Sequence, residues 1–85
     1  MVVVRIPSLL AVQAGGQGTF EVEAETVGGA LRQLPVSDLL IDEHGELRRL
    51  VNVYVDGEDT RGLEGLETPL AGASELRVIA AVAGG

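Results

Sequence analysis

Residues 19–35 read TFEVEAETVGGALRQLP and decide the fold, because a strand pattern and a helix pattern follow one another directly. Apolar and acidic residues alternate from Phe20 to Glu25, which is typical of a strand with one buried face and one acidic face. Thr26 then stands where a helix N-cap belongs, and Pro35 ends the helix because the residue before a proline avoids the helical region. Between them lies an apolar stripe at helical spacing: Val27, Ala30, Leu31 and Leu34.

Strand and helix patterns continue on both sides of this segment. Before it, alternation from Val2 to Ile6 predicts a strand that stops at Pro7. The Gly-rich residues 15–18 separate this strand from the next one, so we expect an antiparallel hairpin. After the predicted helix, Ser37 to Ile41 is interpreted as a further helical turn.

The second half of the chain predicts three more strands. Leu47 to Asp56 places its valines on one face, as a half-buried strand does. The pair Asp56-Gly57 then predicts a tight turn into a short strand around Glu58 to Arg61. An irregular stretch follows, and the last strand is expected over Leu76 to Val82.

The order of hairpin, helix and later strands predicts one small α+β domain. A helix across one face of a mixed sheet buries the apolar stripe and the strand faces together. We therefore expect a β-grasp, ubiquitin-like fold with four to five strands, one main helix and an exposed flexible C-terminal tail. Residues 1–80 are assigned to the domain and residues 81–85 to the tail.

Composition excludes several classes of function. The 85 residues are 46% hydrophobic and lack cysteine, which excludes a disulfide framework, a thiolate metal site and a cysteine nucleophile. A net charge of −7 disfavours binding to nucleic acid or to anionic membranes and favours basic protein surfaces.

The longest apolar run, Val78 to Ala83, is too short to cross a membrane, and the N-terminus does not resemble a signal peptide. We expect a cytoplasmic protein. All six basic residues are arginine, which we interpret as the codon preference of a GC-rich genome.

Two polar or Gly-rich segments invite a ligand interpretation that we do not favour. Residues 15–18, Gly-Gly-Gln-Gly, lack the lysine of a phosphate loop and precede a strand instead of a helix, so we predict a turn. His44 lies in an acidic turn without a second histidine, and solvated surface is a better interpretation than a metal site. Its neighbours in that turn are Asp42, Glu43 and Glu46. No metal site is predicted.

The acidic face of the first quoted strand is likewise interpreted as a solubilising surface and not as a docking patch. It carries Glu21, Glu23 and Glu25. No Ser, Cys or His constellation accompanies it, so we expect no catalytic residues and no enzyme activity in this chain.

The chain ends in Ala83-Gly84-Gly85, which presents a slender carboxylate because glycine has no Cβ. A carboxylate is a poor electrophile, and conversion to an acyl-adenylate supplies a leaving group. That step requires the ATP site of another protein. A tail of about four residues spans ~14 Å at ~3.4 Å per residue, enough to enter a buried site while the domain stays outside.

A β-grasp layout with a Gly-Gly end resembles the prokaryotic ubiquitin-like sulfur carriers, the ThiS/MoaD group, and most closely its CysO branch. The resemblance is specific in residues 49–55, RLVNVYV, in residues 58–61, EDTR, and in the final AVAGG. It is looser before residue 49. Two departures are the stretch 71–74, which lacks the aspartate of the family's Gly-Asp turn, and Ala80, where family members often carry proline.

The resemblance implies a reaction cycle carried out by other enzymes. A ThiF/MoeB-type enzyme would adenylate Gly85 with ATP, and a sulfur donor would convert the adenylate to a thiocarboxylate. Val82, Ala83 and Gly84 would thread the partner's channel, and the chain itself would bind no cofactor. In the CysO branch a PLP-dependent cysteine synthase accepts the sulfur, and a JAMM-type metalloprotease releases the new cysteine.

Several alternatives stay open at this point. The carrier could serve molybdopterin, thiamine or a specialised thio-metabolite in place of cysteine. The same adenylate could end on a lysine of a target protein, which would make the chain a protein modifier. A passive β-grasp binding module is the third possibility. The sulfur acceptor, the oligomeric state and the docking surface do not follow from the sequence.

Overall fold

The computed structural model describes residues 1–72 and 75–80. These residues form five strands and three short helices, and all of them except the first helix follow the order that the sequence patterns predict. The strands are β1 (Val2–Arg5), β2 (Thr19–Val22), β3 (Val51–Val55), β4 (Glu58–Asp59) and β5 (Glu75–Ala80). The helices are α1 (Ser8–Gln13), α2 (Val27–Leu31) and α3 (Ser37–Leu40), and 3-10 turns lie at Thr60–Gly62 and Gly65–Glu67.

The strands form one mixed sheet in the order β2-β1-β5-β3-β4. The two strands at its centre, β1 and β5, are parallel, with Val4 opposite Leu76. The remaining pairs are antiparallel, as the predicted hairpin of β1 and β2 requires. This is the mixed sheet of a β-grasp fold, and it confirms the predicted fold class.

The core lies between the sheet and the helices. Its apolar side chains come from alternate strand positions and from one face of each helix, as a two-layer α+β domain requires. Full burial of one such side chain stabilises the fold by about 1.5–3 kcal/mol. The largest of its fully buried apolar side chains are Val4, Val27, Leu31, Val36, Leu40, Val53 and Leu76.

Helix α2 begins as the sequence predicts. The Thr26 side chain Oγ1 accepts a hydrogen bond from the backbone N–H of Gly29 at 3.1 Å, which caps the helix. Gly28 is needed for close packing, because a Cβ there would lie 3.1 Å from the carbonyl oxygen of Leu66. The helix ends at Leu31, earlier than expected, and a turn carries the buried Leu34 to the core.

Helix α1 was not predicted. Its six residues are too few to show a clear helical period in the sequence. Tertiary contact stabilises the helix, because Leu10 and Ala11 are buried against the core. The connection between β1 and β2 is therefore longer and more structured than a simple hairpin link.

The strand predicted from Leu47 begins at Val51 instead. Leu47 forms an isolated bridge with Ile41, and Val51 N–H donates to Arg48 O at 3.0 Å in a turn that precedes the strand. The predicted Asp56-Gly57 turn is confirmed, with φ of 46° and 92°, the two positive values of a type I′ hairpin.

Candidate functional site

The predicted reactive end of the chain follows β5 in the sequence. Gly85, the predicted activation site, lies outside the described residues. The predicted threading residues Val82, Ala83 and Gly84 lie there too, as do the last positions of the predicted final strand. The structure does describe β5, from which the tail continues, and its surroundings define the candidate site.

Strand β5 lies at the centre of the sheet and is fixed on both sides. It pairs in parallel with β1 and antiparallel with β3, and Ala80 at its end lies opposite Val51. On the core side, Leu76 and Val78 are 0% and 2% exposed. This pairing and burial hold Ala80 in a defined position at the end of the central strand.

An apolar groove surrounds Ala80, and we call it the tail-root groove. Its lining residues come from α1, α3, the turn before β3, the start of β3 and the end of β5. Two of the leucines are solvent-exposed, Leu39 by 40% and Leu50 by 51%. The lining is Leu10, Leu39, Arg48, Arg49, Leu50, Val51 and Ala80.

Hydrogen bonds from two arginines hold the turn that carries this groove. Arg48 Nε and Nη2 donate to the Asp38 carbonyl at 3.1 and 2.9 Å, which ties the turn to α3. Arg61 Nη2 donates to the carbonyl oxygens of Arg48 at 2.9 Å and Arg49 at 3.5 Å. Arg61 Nη1 donates to Asn52 Oδ1, so one guanidinium links the turn to β3. The planar fork of arginine suits such multiple contacts.

Arg49 differs from the arginines of the sheet face, Arg5 and Arg77, in that no carboxylate pairs with its charge within the described residues. Arg5 lies 2.5 Å from Glu75 Oε2, and Arg77 lies 3.7 Å from Glu75 Oε1. Within residues 1–72 and 75–80, neither Arg49 nor Arg48 forms a salt bridge. The groove therefore adds positive charge to an apolar surface on a chain whose net charge is −7.

The arginines of the groove were not predicted as site residues, because a chain whose basic residues are all arginine is explained equally well by codon preference. One signal was present, namely two adjacent arginines followed by Leu50 at the start of a strand in an acidic chain. The contribution of Leu10 and Leu39 could not have been seen, because α1 and α3 reach the groove only through the tertiary fold.

The Gly-rich residues 15–18 form a turn, as predicted. Gly15 and Gly16 have φ of +72° and +93°, the left-handed region that favours glycine. Ile6 N–H donates to Gly18 O at 2.9 Å, which closes the connection between β1 and β2. A strand follows this turn, so the geometry of a phosphate loop is not formed.

The acidic turn around His44 is organised by Asp42. Its Oδ1 accepts backbone N–H bonds from His44 at 2.8 Å and from Glu46 at 3.0 Å. The hydrogen bond from Glu46 is the main cause that lowers the pKa of Asp42, and the bond from His44 acts in the same direction. In the described part of the chain, no group of three or more His, Asp or Glu residues is placed to hold a metal ion.

The other acidic group, at Glu21, Glu23 and Glu25, is solvent-exposed along and beyond β2. This exposure agrees with the solvated face that the alternation predicts. Among the described residues, no helix has the length and apolar character that crossing a membrane requires.

Comparisons with known proteins relate the whole chain to one family. The ThiS family matches residues 4–85, a range that includes the Gly-Gly end. The sulfur carrier protein CysO of Mycobacterium tuberculosis is 36% identical over 91 residues, covering 99% of this chain and 98% of the relative. Its crystal structure superposes with a TM-score of 0.83 at 32% identity, covering 96% of this chain and 100% of that one.

Two further solved structures are similar. One is from the Amycolatopsis orientalis BexX/CysO complex, with a TM-score of 0.82, 32% identity and full coverage of both chains. The other is SAMP1 from Haloferax volcanii, with a TM-score of 0.74, 27% identity and coverage of 99% and 98%. Together with the match over residues 4–85, these likenesses show that the chain belongs to the ThiS family.

Proposed function

We propose that this protein is a sulfur carrier whose reactive group is the C-terminal carboxylate of Gly85. The observation that carries the proposal is the family match, which runs through the domain to residue 85 and so includes the Gly-Gly end. The relative of 36% identity is itself named a sulfur carrier. The position of β5 supports the proposal, because the strand that precedes the tail is held between two neighbours.

The chemistry takes place in two steps on partner enzymes. A carboxylate oxygen of Gly85 attacks the α-phosphorus of ATP and releases pyrophosphate, which gives an acyl-adenylate. A sulfide nucleophile then attacks the acyl carbon and displaces AMP, which leaves a thiocarboxylate. The first partner is a ThiF/MoeB-type enzyme that holds the ATP, so the carrier binds no cofactor and acts as a co-substrate. Val82, Ala83 and Gly84 occupy the partner's channel.

The sulfur then passes to a biosynthetic enzyme. Likeness to the carriers named CysO favours an acceptor of the PLP-dependent cysteine synthase class, with a JAMM-type metalloprotease to release the product. An enzyme that makes a specialised thio-metabolite is the other acceptor class, and the BexX/CysO complex shows a similar chain in assembly with a second protein. Incubating the thiocarboxylate form with each class of enzyme and its activated substrate distinguishes the two, because only the correct pair consumes the terminal sulfur.

The test of the carrier function is a change in intact mass. The full chain is incubated with the source organism's ThiF/MoeB-type enzyme, ATP and sulfide. We expect one terminal oxygen to be replaced by sulfur, with the change located in the C-terminal peptide. If the mass is unchanged although the enzyme activates another carrier in a parallel reaction, the proposal is wrong.

A second candidate function is protein modification, which the likeness to the small archaeal modifier SAMP1 favours. In that case the adenylate is transferred to a lysine of a target protein. Digestion of cell extract would then yield target peptides that carry a Gly-Gly remnant on lysine. Recovery of such peptides only when the full-length tail is present supports the modifier function.

A further inference from the structure

The short distance between Ala80 and the end of the chain restricts where a partner can dock. Five residues follow Ala80 in the sequence. Fully extended, at ~3.4 Å per residue, they reach ~17 Å. An enzyme that receives Gly85 in a buried site must therefore place the mouth of its channel against the surface around Ala80. This step rests on the proposed function.

The surface around Ala80 has the chemistry of a docking site. Leu39 and Leu50 are 40% and 51% exposed, and they lie beside the buried Leu10 in one groove. Apolar area of this kind gains free energy when a partner removes it from water. Among the described residues, the groove lining holds two arginines and no carboxylate.

The arginines of the groove are placed to meet a negatively charged partner. Within the described residues, Arg48 donates to the backbone carbonyl of Asp38 and forms no salt bridge, and its charge makes a small contribution to the lowered pKa of the Asp42 carboxyl. Arg49 has no side-chain hydrogen bond or ion pair within the described part of the chain. Arg61 holds the backbone of both residues, so the pair is presented on a fixed turn and little ordering is needed on binding.

We propose that the tail-root groove docks the adenylating enzyme, at a channel mouth that is apolar and carries carboxylates opposite Arg48 and Arg49. The leucines supply buried apolar contact, and the arginines orient the domain so that the tail enters the channel. Charge complementarity of this kind acts mainly on specificity and on the association rate.

The experiment measures ATP–pyrophosphate exchange by the ThiF/MoeB-type enzyme as a function of carrier concentration. The variants are Leu50→Asp and Arg49→Glu. Each has a matched control elsewhere on the surface: Leu63→Asp at a leucine that is 44% exposed, and Arg32→Glu at another exposed arginine. Circular dichroism and thermal unfolding verify that all four variants are folded.

We expect each groove variant to raise KM for the carrier about tenfold while kcat changes by less than about twofold. The two controls should leave KM close to that of the unchanged chain. Added salt should raise KM for the unchanged chain, because it screens the attraction between Arg49 and the partner's carboxylates. The rise should be smaller for an Arg49→Ala variant, because that variant lacks the charge on which salt acts.

Two outcomes would overturn the docking site. One is a KM for Leu50→Asp and Arg49→Glu equal to that of their controls. The other is a rise in KM for Ile79→Asp, on the opposite sheet face, without a rise for the groove variants. Failure of the proposed function is distinguishable, because the unchanged chain would then stimulate no exchange at all.

Discussion

Residues 19–35 and the tail-root groove differ in how far apart their determining residues lie in the sequence. In residues 19–35, the cap at Thr26 and the hydrogen bonds within α2 join residues that lie within a few positions of each other. The groove instead joins Leu10, Leu39, residues 48–51 and Ala80 from four separate segments. The first region stabilises the domain, and the second is the surface that we propose as the docking site of the adenylating enzyme. Changes in the first should therefore alter stability, and changes near the second should alter activity.

The largest expected effect is the loss of Gly85. Deletion of this residue removes the carboxylate that we propose is adenylated, so exchange of pyrophosphate should fall to background. The thermal unfolding temperature should be unchanged, since a chain terminus contributes little to stability. Both properties are measured on the same preparation, with the full chain as control. Adenylation of the shortened chain at the full rate would contradict the assigned role of Gly85.

At Leu31, which is completely buried, we expect a loss of stability without a loss of activity. Leu31→Ala should lower the free energy of unfolding by about 2–5 kcal/mol, because a cavity remains where the side chain was. Urea denaturation measures this change. The control Leu63→Ala, at an exposed loop leucine, should change it by less than about 0.5 kcal/mol.

The fraction of Leu31→Ala that remains folded should be adenylated with the kcat of the unchanged chain, because the substitution leaves the groove residues in place. A lower kcat at a temperature where the variant is fully folded would show that core and groove are coupled. That result would contradict the claim that residues 19–35 affect only stability and the groove only activity.

A smaller effect is expected at Thr26. Thr26→Ala removes the hydrogen bond to Gly29 N–H and should lower the free energy of unfolding by about 1 kcal/mol. Thr26→Ser retains the hydroxyl and is the matched control. Equal losses in the two variants would show that the methyl group, and not the cap, stabilises this helix.

The smallest effect concerns Asp42, whose local turn resembles residues 19–35 in being determined by close neighbours. Its pKa is lowered from 3.8 by backbone hydrogen bonds, chiefly from Glu46 N–H. The folded state therefore favours the carboxylate, and the stabilisation is present above pH 3.8 and is lost as the pH falls through the lower folded-state pKa. Asp42→Ala should weaken the decline of stability in acid, measured by denaturation at pH values on both sides of 3.8. An unchanged acid dependence would contradict the role of these hydrogen bonds.

Most strands and the cap of α2 could be predicted because their signals are local. Thr26 before an apolar stripe, the Asp56-Gly57 pair and the alternation around Val22 each depend on a few adjacent residues. Helix α1 and the start of β3 could not be predicted in this way. Residues 8–13 are helical because Leu10 and Ala11 find a buried site, and Leu47 pairs with Ile41 instead of extending the strand.

The sequence by itself determined the α+β order, the β-grasp layout and the resemblance that predicts Gly85 as the reactive group. These follow from short-range patterns and from a terminal motif that needs no fold to be recognised. Only the tertiary structure decided that Arg48, Arg49 and Leu50 share a groove with Leu10, Leu39 and Ala80. The physical reason is that strand pairing and core packing bring distant segments together, and one-dimensional periodicity carries no information about such pairs.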